Sequence, residues 1–509
     1  MTKRNDRILG KIFRGFIYVL PAVLFFSYYP VILFGANESM NFELSLPLIW
    51  LVLFDGFSFV LVIKEKRFGE ILRNWKFLLL PVFFSLTILW SENQTRGFLT
   101  AGIFWLLYFA GFSIYIFKDY FKGEKFRDAF WKWFFGSAVL ICVWCFLQCV
   151  LDLVGVSREY SLMCAGCTYK SFGFPHPNGF AIEPQFMGNL LLAPAIMSVW
   201  TYAMTIKQNN KNLGHGRSRS GNSYNKSVGF RKKLQFLDLI RDCCKNYPGS
   251  LFKCPKFLLF CFFIFTSTLF LTFSRGAIYA FGVALVVMTL FTRNSKSLAS
   301  GHAQVRSAKL MVPSQVFRVS AKIWLITIAA FLFTLNVQGI MAQVSPTSDT
   351  YWSGVSKVLN HLSLGIIDVK KASAVEEATF DGYVAESTDT RMQISRAALQ
   401  TWRQDFKTMM FGVGLGGAGE AMFRAGVMWS PKEIVQNEYV SLLLETGIVG
   451  VLFVIFTLWL VLKFVVKHTQ VGPILTLMVA YGVSLVFFAG LPNALHIYIM
   501  PTLLMLMLA

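Results

Sequence analysis

The chain has 509 residues, of which 55% are hydrophobic and 15% charged, and its formal net charge is +21. Soluble globular domains carry a smaller apolar share and a larger charged share, so an ordinary soluble protein is excluded. The composition instead predicts a protein of the lipid bilayer.

Apolar windows recur along nearly the whole chain. A helix needs about 20 apolar residues to cross the hydrocarbon core. The first window is not a cleavable signal, because no small-residue cleavage site follows it and more spans come after it. We therefore predict an all-α polytopic membrane protein with about twelve transmembrane helices. The expected spans are roughly 16–35, 44–63, 77–91, 98–117, 133–154, 185–206, 257–273, 276–292, 323–340, 439–463, 471–490 and 491–508.

The spans divide the chain into three parts. Residues 1–340 carry helices 1 to 9 with basic cytoplasmic loops at 207–256 and 293–322. Residues 341–438 form a long, partly helical loop between helices 9 and 10. Residues 439–509 carry helices 10 to 12.

Lysine and arginine are concentrated on alternate loops. The segment 207–256 holds twelve basic side chains against two acidic ones, and 293–322 holds six against none. Basic loops resist translocation. If the spans alternate, this pattern places both termini in the cytoplasm and the loop 341–438 outside. The positive charge is then a topology signal that also attracts anionic membrane lipid, and no nucleic-acid partner is expected.

Arg275 is a charged side chain between two apolar helices. A charge at the bilayer centre costs at least about 2.5 kcal/mol, so such residues tend to line a cavity or a pathway. Gly276 and Ala277 beside it favour close helix packing. An interfacial arginine that extends toward water is the alternative interpretation.

A second group of arginines follows in the outer loop. Asp389 is a plausible N-cap for an amphipathic helix over 391–410. Its apolar stripe is expected to lie on the membrane surface, with Arg391, Arg396 and Arg403 facing the mouth of the bundle. A surface helix whose arginines bind no ligand remains the alternative. The stripe consists of Met392, Leu399, Trp402, Phe406 and Met409.

The outer segment before span six is rich in aromatic and turn-forming residues. Aromatic faces beside carboxylates and amides suit sugar rings, which have apolar faces and hydroxyl edges. Glu183 and His176 are therefore candidate glycan-binding residues, to which we add Tyr439. An interfacial aromatic belt is the alternative.

Short motifs follow one another in a specific order on the outer side. They are Ser274-Arg275-Gly276-Ala277, Arg391 with its helix, Phe411-Gly412-Val413-Gly414, Asn437-Glu438-Tyr439-Val440 and Leu444-Glu445-Thr446-Gly447-Ile448-Val449-Gly450.

Over roughly residues 180–490, this order resembles the O-antigen ligase and O-antigen polymerase superfamily of bacterial inner-membrane enzymes. The resemblance implies transfer of a glycan from an undecaprenyl-diphosphate carrier on the periplasmic side, with no metal, cofactor or nucleotide sugar. The acceptor is the lipid A core in ligases and another carrier-linked glycan in polymerases. A ligase-like activity is our first interpretation and a polymerase the second.

The resemblance assigns the donor diphosphate to arginines. Guanidinium groups bind such oxygens bidentately and oppose the charge that grows on a leaving diphosphate. We expect Arg275 and Arg391 to do so, with Arg396 as the alternate for Arg391.

The acceptor side departs from the family pattern. Many members carry a histidine before the asparagine that matches Asn437, whereas this chain has Gln436. Glutamine takes no proton at neutral pH. Gln436, Asn437 and Glu438 are the catalytic candidates, and three options stay open for the base. Glu438 or Glu433 activates the acceptor, His176 or His361 folds in, or Gln436 only orients an acceptor whose proton leaves late.

Two other classes of protein also fit the composition. A secondary transporter would be expected to show related halves with interrupted helices near mid-membrane, and no matching halves are visible. A non-catalytic scaffold or sensor would tolerate exchange of the arginines.

Overall fold

The computed structural model describes most of the helical chain. The described residues are 3–26, 30–34, 42–121, 123–163, 175–181, 183–216, 254–293, 313–345, 350–363, 389–431, 433–468, 471–488, 498–500, 502 and 504. Most of the two basic loops, and nearly all of the last expected span at 491–508, lie outside these ranges.

The first half of the fold is a set of apolar helices with one small hairpin. Strands β1 (Pro30–Phe34) and β2 (Phe42–Ser45) pair antiparallel, which adds a feature that the all-α prediction lacked. The helices are α1 (Lys3–Phe26), α2 (Leu46–Lys64), α3 (Phe68–Arg73), α4 (Leu79–Thr87), α5 (Gln94–Ile116), α6 (Glu124–Leu153), α7 (Arg158–Ser161) and α8 (Pro184–Gly216). Short 3-10 turns at Trp75–Leu78 and Ile88–Trp90 flank α4, and a third lies at Lys118–Phe121.

The second half adds the helices that carry the sequence motifs. They are α9 (Pro255–Leu271), α10 (Arg275–Arg293), α11 (Pro313–Val344), α12 (Tyr351–Leu362), α13 (389–402), α14 (Phe406–Phe411), α15 (Ala418–Arg424), α16 (Glu438–His468) and α17 (Val471–Ser484).

Helix length and hydropathy support a multi-pass membrane protein. Within the described residues, seven helices are long and apolar enough to cross a bilayer, and four shorter apolar helices lie at Trp75–Trp90, Pro255–Leu271, Arg275–Phe291 and Val471–Ser484. The polytopic helical class is thus confirmed, but the count of twelve is not established.

The core is rich in phenylalanine. One large cluster joins α1, α2, α5, α6, the central helices α8 to α11, and α17, and includes fully buried rings such as Phe13, Phe134 and Phe265. Helix α8 is the most enclosed of the spans, with 78% of its apolar window buried. It packs against α9, α10 and α17 and so lies at the centre of the helices that carry the Arg275 turn.

Alternation of the helices brings several chain segments to one end of the bundle, called here the site end. It holds the α4–α5 turn, the start of α8, the α9–α10 turn, helices α12 to α15 and the start of α16. The sequence motifs therefore meet in space.

The outer helix expected over 391–410 differs from the structure. Helix α13 ends at 402, and Asp405 starts a second helix by accepting a hydrogen bond from the Thr408 amide at 2.8 Å. The expected apolar stripe does not form the buried face either, since Ile394, Ala398 and Thr401 lie inside while Phe406 is exposed.

Candidate functional site

The turn between α9 and α10 positions Arg275. Helix α9 ends at Leu271, and Phe273 takes a left-handed conformation with a φ of 54°. The Ser274 carbonyl then accepts the first bond of α10 from the Ile278 amide at 2.9 Å. Arg275, which is only 9% exposed, is therefore the first residue of a 19-residue helix. Its cationic group adds to the positive end of the helix dipole, an arrangement that an anionic ligand would stabilise.

Two histidines enclose Phe273. The Phe273 ring lies 5.7 Å from the ring of His176 and 6.3 Å from the ring of His361, edge to face in both cases. A ring nitrogen of His361, Nε2, lies 3.2 Å from the Phe273 carbonyl oxygen. Both histidines are buried, with 5% and 7% exposure. Residues 176, 273 and 361, distant in sequence, thus form one stack beside Arg275.

The charge state of His361 follows from this setting. The pKa of His361 is lowered to about 3, first by burial and next by the positive charge of Arg275, with smaller contributions from His176 and then Arg391. His361 is therefore neutral at physiological pH. Because a carbonyl only accepts hydrogen bonds, the Nε2 atom carries the hydrogen and Nδ1 carries the lone pair.

A buried amide holds the His176 segment in place. Gln148 of α6 accepts from the Gly179 amide at 2.9 Å and donates to the Gly179 carbonyl at 2.8 Å and the Ser161 carbonyl at 2.9 Å. The Asn178 side chain donates to the Leu162 carbonyl at 3.1 Å. These bonds fix the turn 175–180 against α6. Sequence reasoning missed Gln148, although a polar residue inside an apolar span is a usable signal.

Helix α12 is fixed to α10 and α11. Tyr279, one turn after Arg275, donates to the Leu362 carbonyl at 2.6 Å. At the other side, the ring of Tyr351 covers Gly339, where an added Cβ would lie 2.4 Å from it. Sequence reasoning did not single out Tyr279, whose spacing of four residues from Arg275 places the two on the same helix face.

Helix α13 connects Arg391 with the start of α16. Its buried residues Ile394 and Ala398 belong to an apolar cluster that also includes Val435 and Leu444. Arg391, half-buried in the first turn, acts electrostatically on His361. Arg396 lies about 140° further around the helix and is exposed. The structure thus brings Arg391, and not Arg396, to the group formed by Arg275 and the two histidines.

The catalytic candidates of the sequence occupy the first turn of α16. Asn437 caps this helix, since its side-chain oxygen accepts from the amides of Tyr439 at 3.1 Å and Val440 at 3.2 Å. The Glu438 carboxylate accepts from the Tyr498 hydroxyl at 2.9 Å. Gln436 is exposed.

This turn of α16 meets the Arg275 turn through the end of α17. The Glu438 amide donates to the Leu485 carbonyl at 3.0 Å, and the Tyr439 hydroxyl donates to the Gly482 carbonyl at 2.7 Å. Phe487 then packs on Gly276, where an added Cβ would lie 2.8 Å from its Cβ. The catalytic candidates and Arg275 therefore flank the same helix end.

A small polar cavity lies on the other side of Glu438. It has a volume of about 50 Å³ and is bounded by α5, the glycine turn and α16. Arg96, which sequence reasoning did not single out, lines it together with Glu433, Glu438 and Glu445. Arg96 acts electrostatically on Glu445, whose carboxyl also accepts from the amides of Gly416 and Ala418.

The glycine turn is a packing element. Gly412, Gly414 and Gly416 all have positive φ, and the Gly414 amide donates to the Glu445 carbonyl at 2.9 Å. An added Cβ on Gly414 would lie 2.4 Å from the Ser91 Cα. Helix α16 bends to meet this turn at Gly447, where φ is 65° and ψ is −171°. The glycines therefore allow three backbones to touch.

Glu183 precedes the first turn of α8. Its carboxylate accepts from the Gln185 amide nitrogen at 2.6 Å, and it is half-buried. Further along α8, Gly188 packs on Ser274, with an added Cβ only 2.6 Å from the Ser274 Cβ. Glu183 thus lies on the helix that touches the Arg275 turn.

The described part of the chain contains no group of three or more His, Cys, Asp and Glu side chains arranged to hold a metal ion. The polar groups that line the site are guanidinium, imidazole and carboxylate side chains.

These features define a multi-pass helical membrane protein with a buried, arginine-containing site at one end of its bundle. Comparison with known proteins agrees with the sequence motifs. A family model described as O-antigen ligase matches residues 260–455, from α9 into α16, and this match confirms the resemblance of the segment to that superfamily. No curated protein matches the chain, and no solved structure does so.

The matched segment contains Arg275, His361, Arg391, the glycine turn and Glu438. His176, Glu183 and Arg96 lie before it and reach the same end of the bundle by folding.

Proposed function

We propose that this protein transfers a glycan from an undecaprenyl-diphosphate carrier to an acceptor at the site end of the bundle, in the manner of an O-antigen ligase acting on the lipid A core. One observation carries the proposal. A buried arginine begins α10, and Arg391 from a distant helix acts on the same neighbouring histidine.

The arginines fit the donor chemistry. The bond between the anomeric carbon and the diphosphate oxygen breaks with its electron pair on the diphosphate, which gains negative charge. Arg275 and Arg391 oppose this charge from fixed positions, and the positive end of α10 adds to their effect. Because guanidinium groups do this work, we propose a transfer that is independent of metal ions, and we expect EDTA to leave the rate unchanged.

The acceptor chemistry involves the start of α16. The acceptor hydroxyl oxygen bonds to the anomeric carbon and loses its proton. Gln436 cannot take this proton. Glu438 and Glu433, which line one cavity, are better placed as the base, and Gln436 and Tyr439 are left to orient the acceptor. Asn437 contributes indirectly, because its side chain caps α16 and so positions the first turn of that helix.

The aromatic outer segment before α8 is assigned to the glycan. Glu183 and His176 come from this segment, and both lie at the site end of the bundle. A carboxylate and an imidazole beside aromatic rings can bind sugar hydroxyls and sugar faces together.

The cellular location follows from charge and hydropathy. We propose a bacterial inner membrane location, with both termini in the cytoplasm and the site end in the periplasm. Support comes from the basic segments 207–256 and 293–322, which fall at the opposite end from the site when the helices alternate.

The test is complementation of cells that lack their own copy of this gene. Wild type, Arg275→Ala and Arg403→Ala are produced at matched membrane levels, and carrier-linked and acceptor-linked glycans are analysed by gel and mass spectrometry. We expect wild type and Arg403→Ala to restore transfer, because Arg403 is exposed, and Arg275→Ala to leave carrier-linked glycan behind.

The product left behind separates the candidate activities. A bare lipid A core identifies a ligase, and chains that stay one repeat unit long identify a polymerase. If Arg275→Ala restores transfer as well as wild type, the donor site is misassigned. If wild type changes no glycan, transport of another substrate becomes the better explanation.

A further inference from the structure

His361 lies at the centre of the cationic group but carries no charge of its own. Its Nε2–H points to the Phe273 carbonyl, and its Nδ1 atom has a lone pair that can take a proton. The groups that face it come from three packed elements. They are Arg275 and Tyr279 of α10, His176 of the 175–180 turn and Arg391 of α13.

Burial is the main reason that His361 is neutral, and neighbouring charge adds to it. The guanidinium group of Arg275 opposes a proton on the ring most strongly, and His176 and Arg391 add smaller effects. A diphosphate ester bound by these arginines carries two negative charges and would offset both. Since oppositely charged neighbours favour the charged form of a titratable group, the empty and occupied sites favour different states of His361.

We propose that His361 takes up a proton from solvent when the donor diphosphate binds, and so becomes a third cationic group that holds it. The inference rests on the proposed function, because it assumes that the diphosphate lies between Arg275 and Arg391. When the anomeric bond then breaks with its electron pair on the diphosphate, the leaving group gains a negative charge that the imidazolium opposes.

Proton uptake on binding has a thermodynamic consequence. Linkage is reciprocal, so a ligand that promotes protonation binds more tightly at lower pH. Below the pKa of the occupied state, affinity rises by up to about tenfold for each pH unit. A site without such a group would bind a ligand of constant charge with constant affinity.

The experiment is isothermal titration calorimetry of the full-length protein in lipid nanodiscs with a geranyl-diphospho-sugar. This probe is a diester diphosphate whose charge is constant between about pH 5 and 8. Wild type, His361→Gln and Ser356→Ala are compared. Glutamine retains a donor for the Phe273 carbonyl, and Ser356→Ala is the control because Ser356 lies on the same helix, α12, and its hydroxyl bonds to the Trp352 carbonyl of that helix.

We expect wild-type affinity to rise by about tenfold or more as the pH falls from about 8 to about 6. His361→Gln should bind with nearly constant affinity, whereas Ser356→Ala should keep the wild-type dependence of affinity on pH. Titrations of wild type in two buffers of different ionisation enthalpy should show net proton uptake, which tests the proposal without any variant.

Several results would overturn the proposal. Wild-type binding that depends on Arg275 but not on pH, with no proton uptake, would do so. A pH dependence of affinity that persists in His361→Gln would also overturn the proposal. If wild type does not bind the probe, or if Arg275→Ala binds it as tightly as wild type, the proposed function itself is refuted. The two failures are therefore distinct.

Discussion

At the scale of single residues, the site depends on side chains whose neighbours come from distant parts of the sequence. Arg275 could be predicted to matter, because a charge between apolar helices is expensive. Its setting beside Phe273, His176 and His361 could not, since these residues lie far apart in the chain. Phe273 carries strain in its left-handed backbone, and such strain is concentrated at functional sites.

The two arginines of α13 provide a matched pair for testing the donor site. Arg391→Ala should lower glycan transfer by about 100-fold or more, as expected for loss of a group that stabilises a growing negative charge. Arg396→Ala should leave transfer near wild type, because Arg396 is exposed on another side of the same helix. Transfer is measured from acceptor-linked glycan at matched protein levels. Equal losses in both variants would show that α13 acts only as a structural element.

The neutral His361 should also make stability depend on pH. Its pKa is lowered from 6.5 to about 3, so the unfolded chain binds a proton that the folded chain does not. The folded state is therefore fully favoured above pH 6.5 and loses stability as the pH falls from 6.5 toward 3. At pH 5 this loss amounts to about 2 kcal/mol.

The measurement is the apparent Tm of wild type and His361→Gln in detergent across this pH range. As the pH falls, the apparent Tm of wild type should decrease relative to the apparent Tm of His361→Gln. A difference that stays constant from neutral to acid pH would contradict a neutral buried imidazole.

At the scale of elements, the long apolar helices could be predicted from hydropathy because lipid requires every backbone group to bond within a helix. The outer helices are harder to predict. The apolar stripe predicts one helix over 391–410, but Asp405 and Thr408 form a helix cap that divides it. The glycine turn was recognisable in the sequence, but its partners Ser91 and Glu445 were not, since backbone contacts leave no periodic pattern.

Replacement of Gly414 and of Gly426 by alanine allows a comparison between a crowded and an open glycine at positive φ. Both have positive φ, but an added Cβ at Gly414 would meet the Ser91 backbone at 2.4 Å, whereas at Gly426 it meets nothing within 4 Å. Gly414→Ala should therefore cost about 3 kcal/mol or more of folding free energy, and Gly426→Ala about 1 kcal/mol. Apparent Tm values of the two purified variants test this. Similar values would show that the contact with Ser91 is not tight.

At the scale of the whole molecule, the class could be predicted and the exact topology could not. Composition excludes a soluble domain, and the seven long apolar helices found among the described residues agree with a multi-pass protein. Several remaining helices are shorter than a full span, so counting windows does not determine how many of them cross. The order of the motifs indicated the resemblance to the superfamily, which the family match over residues 260–455 supports.

The proposed orientation predicts opposite accessibility for the two ends. Gln404 and Gly69 are both exposed, the first at the site end and the second in the first turn of α3. In intact spheroplasts, Gln404→Cys should react with a membrane-impermeant maleimide and Gly69→Cys should react only after lysis. Labelling of the wild-type protein measures the background reaction of its native cysteines. Reaction of Gly69→Cys in intact spheroplasts would reverse the orientation.

The most direct test of the account is transfer by purified protein in nanodiscs that contain an undecaprenyl-diphosphate-linked glycan and a lipid A core acceptor. We predict that wild type and Arg396→Ala release undecaprenyl diphosphate in step with glycosylation of the acceptor, and that Arg275→Ala and Arg391→Ala do neither. Glycosylation by both of the latter variants at the wild-type rate would contradict the assignment of the donor site to these arginines.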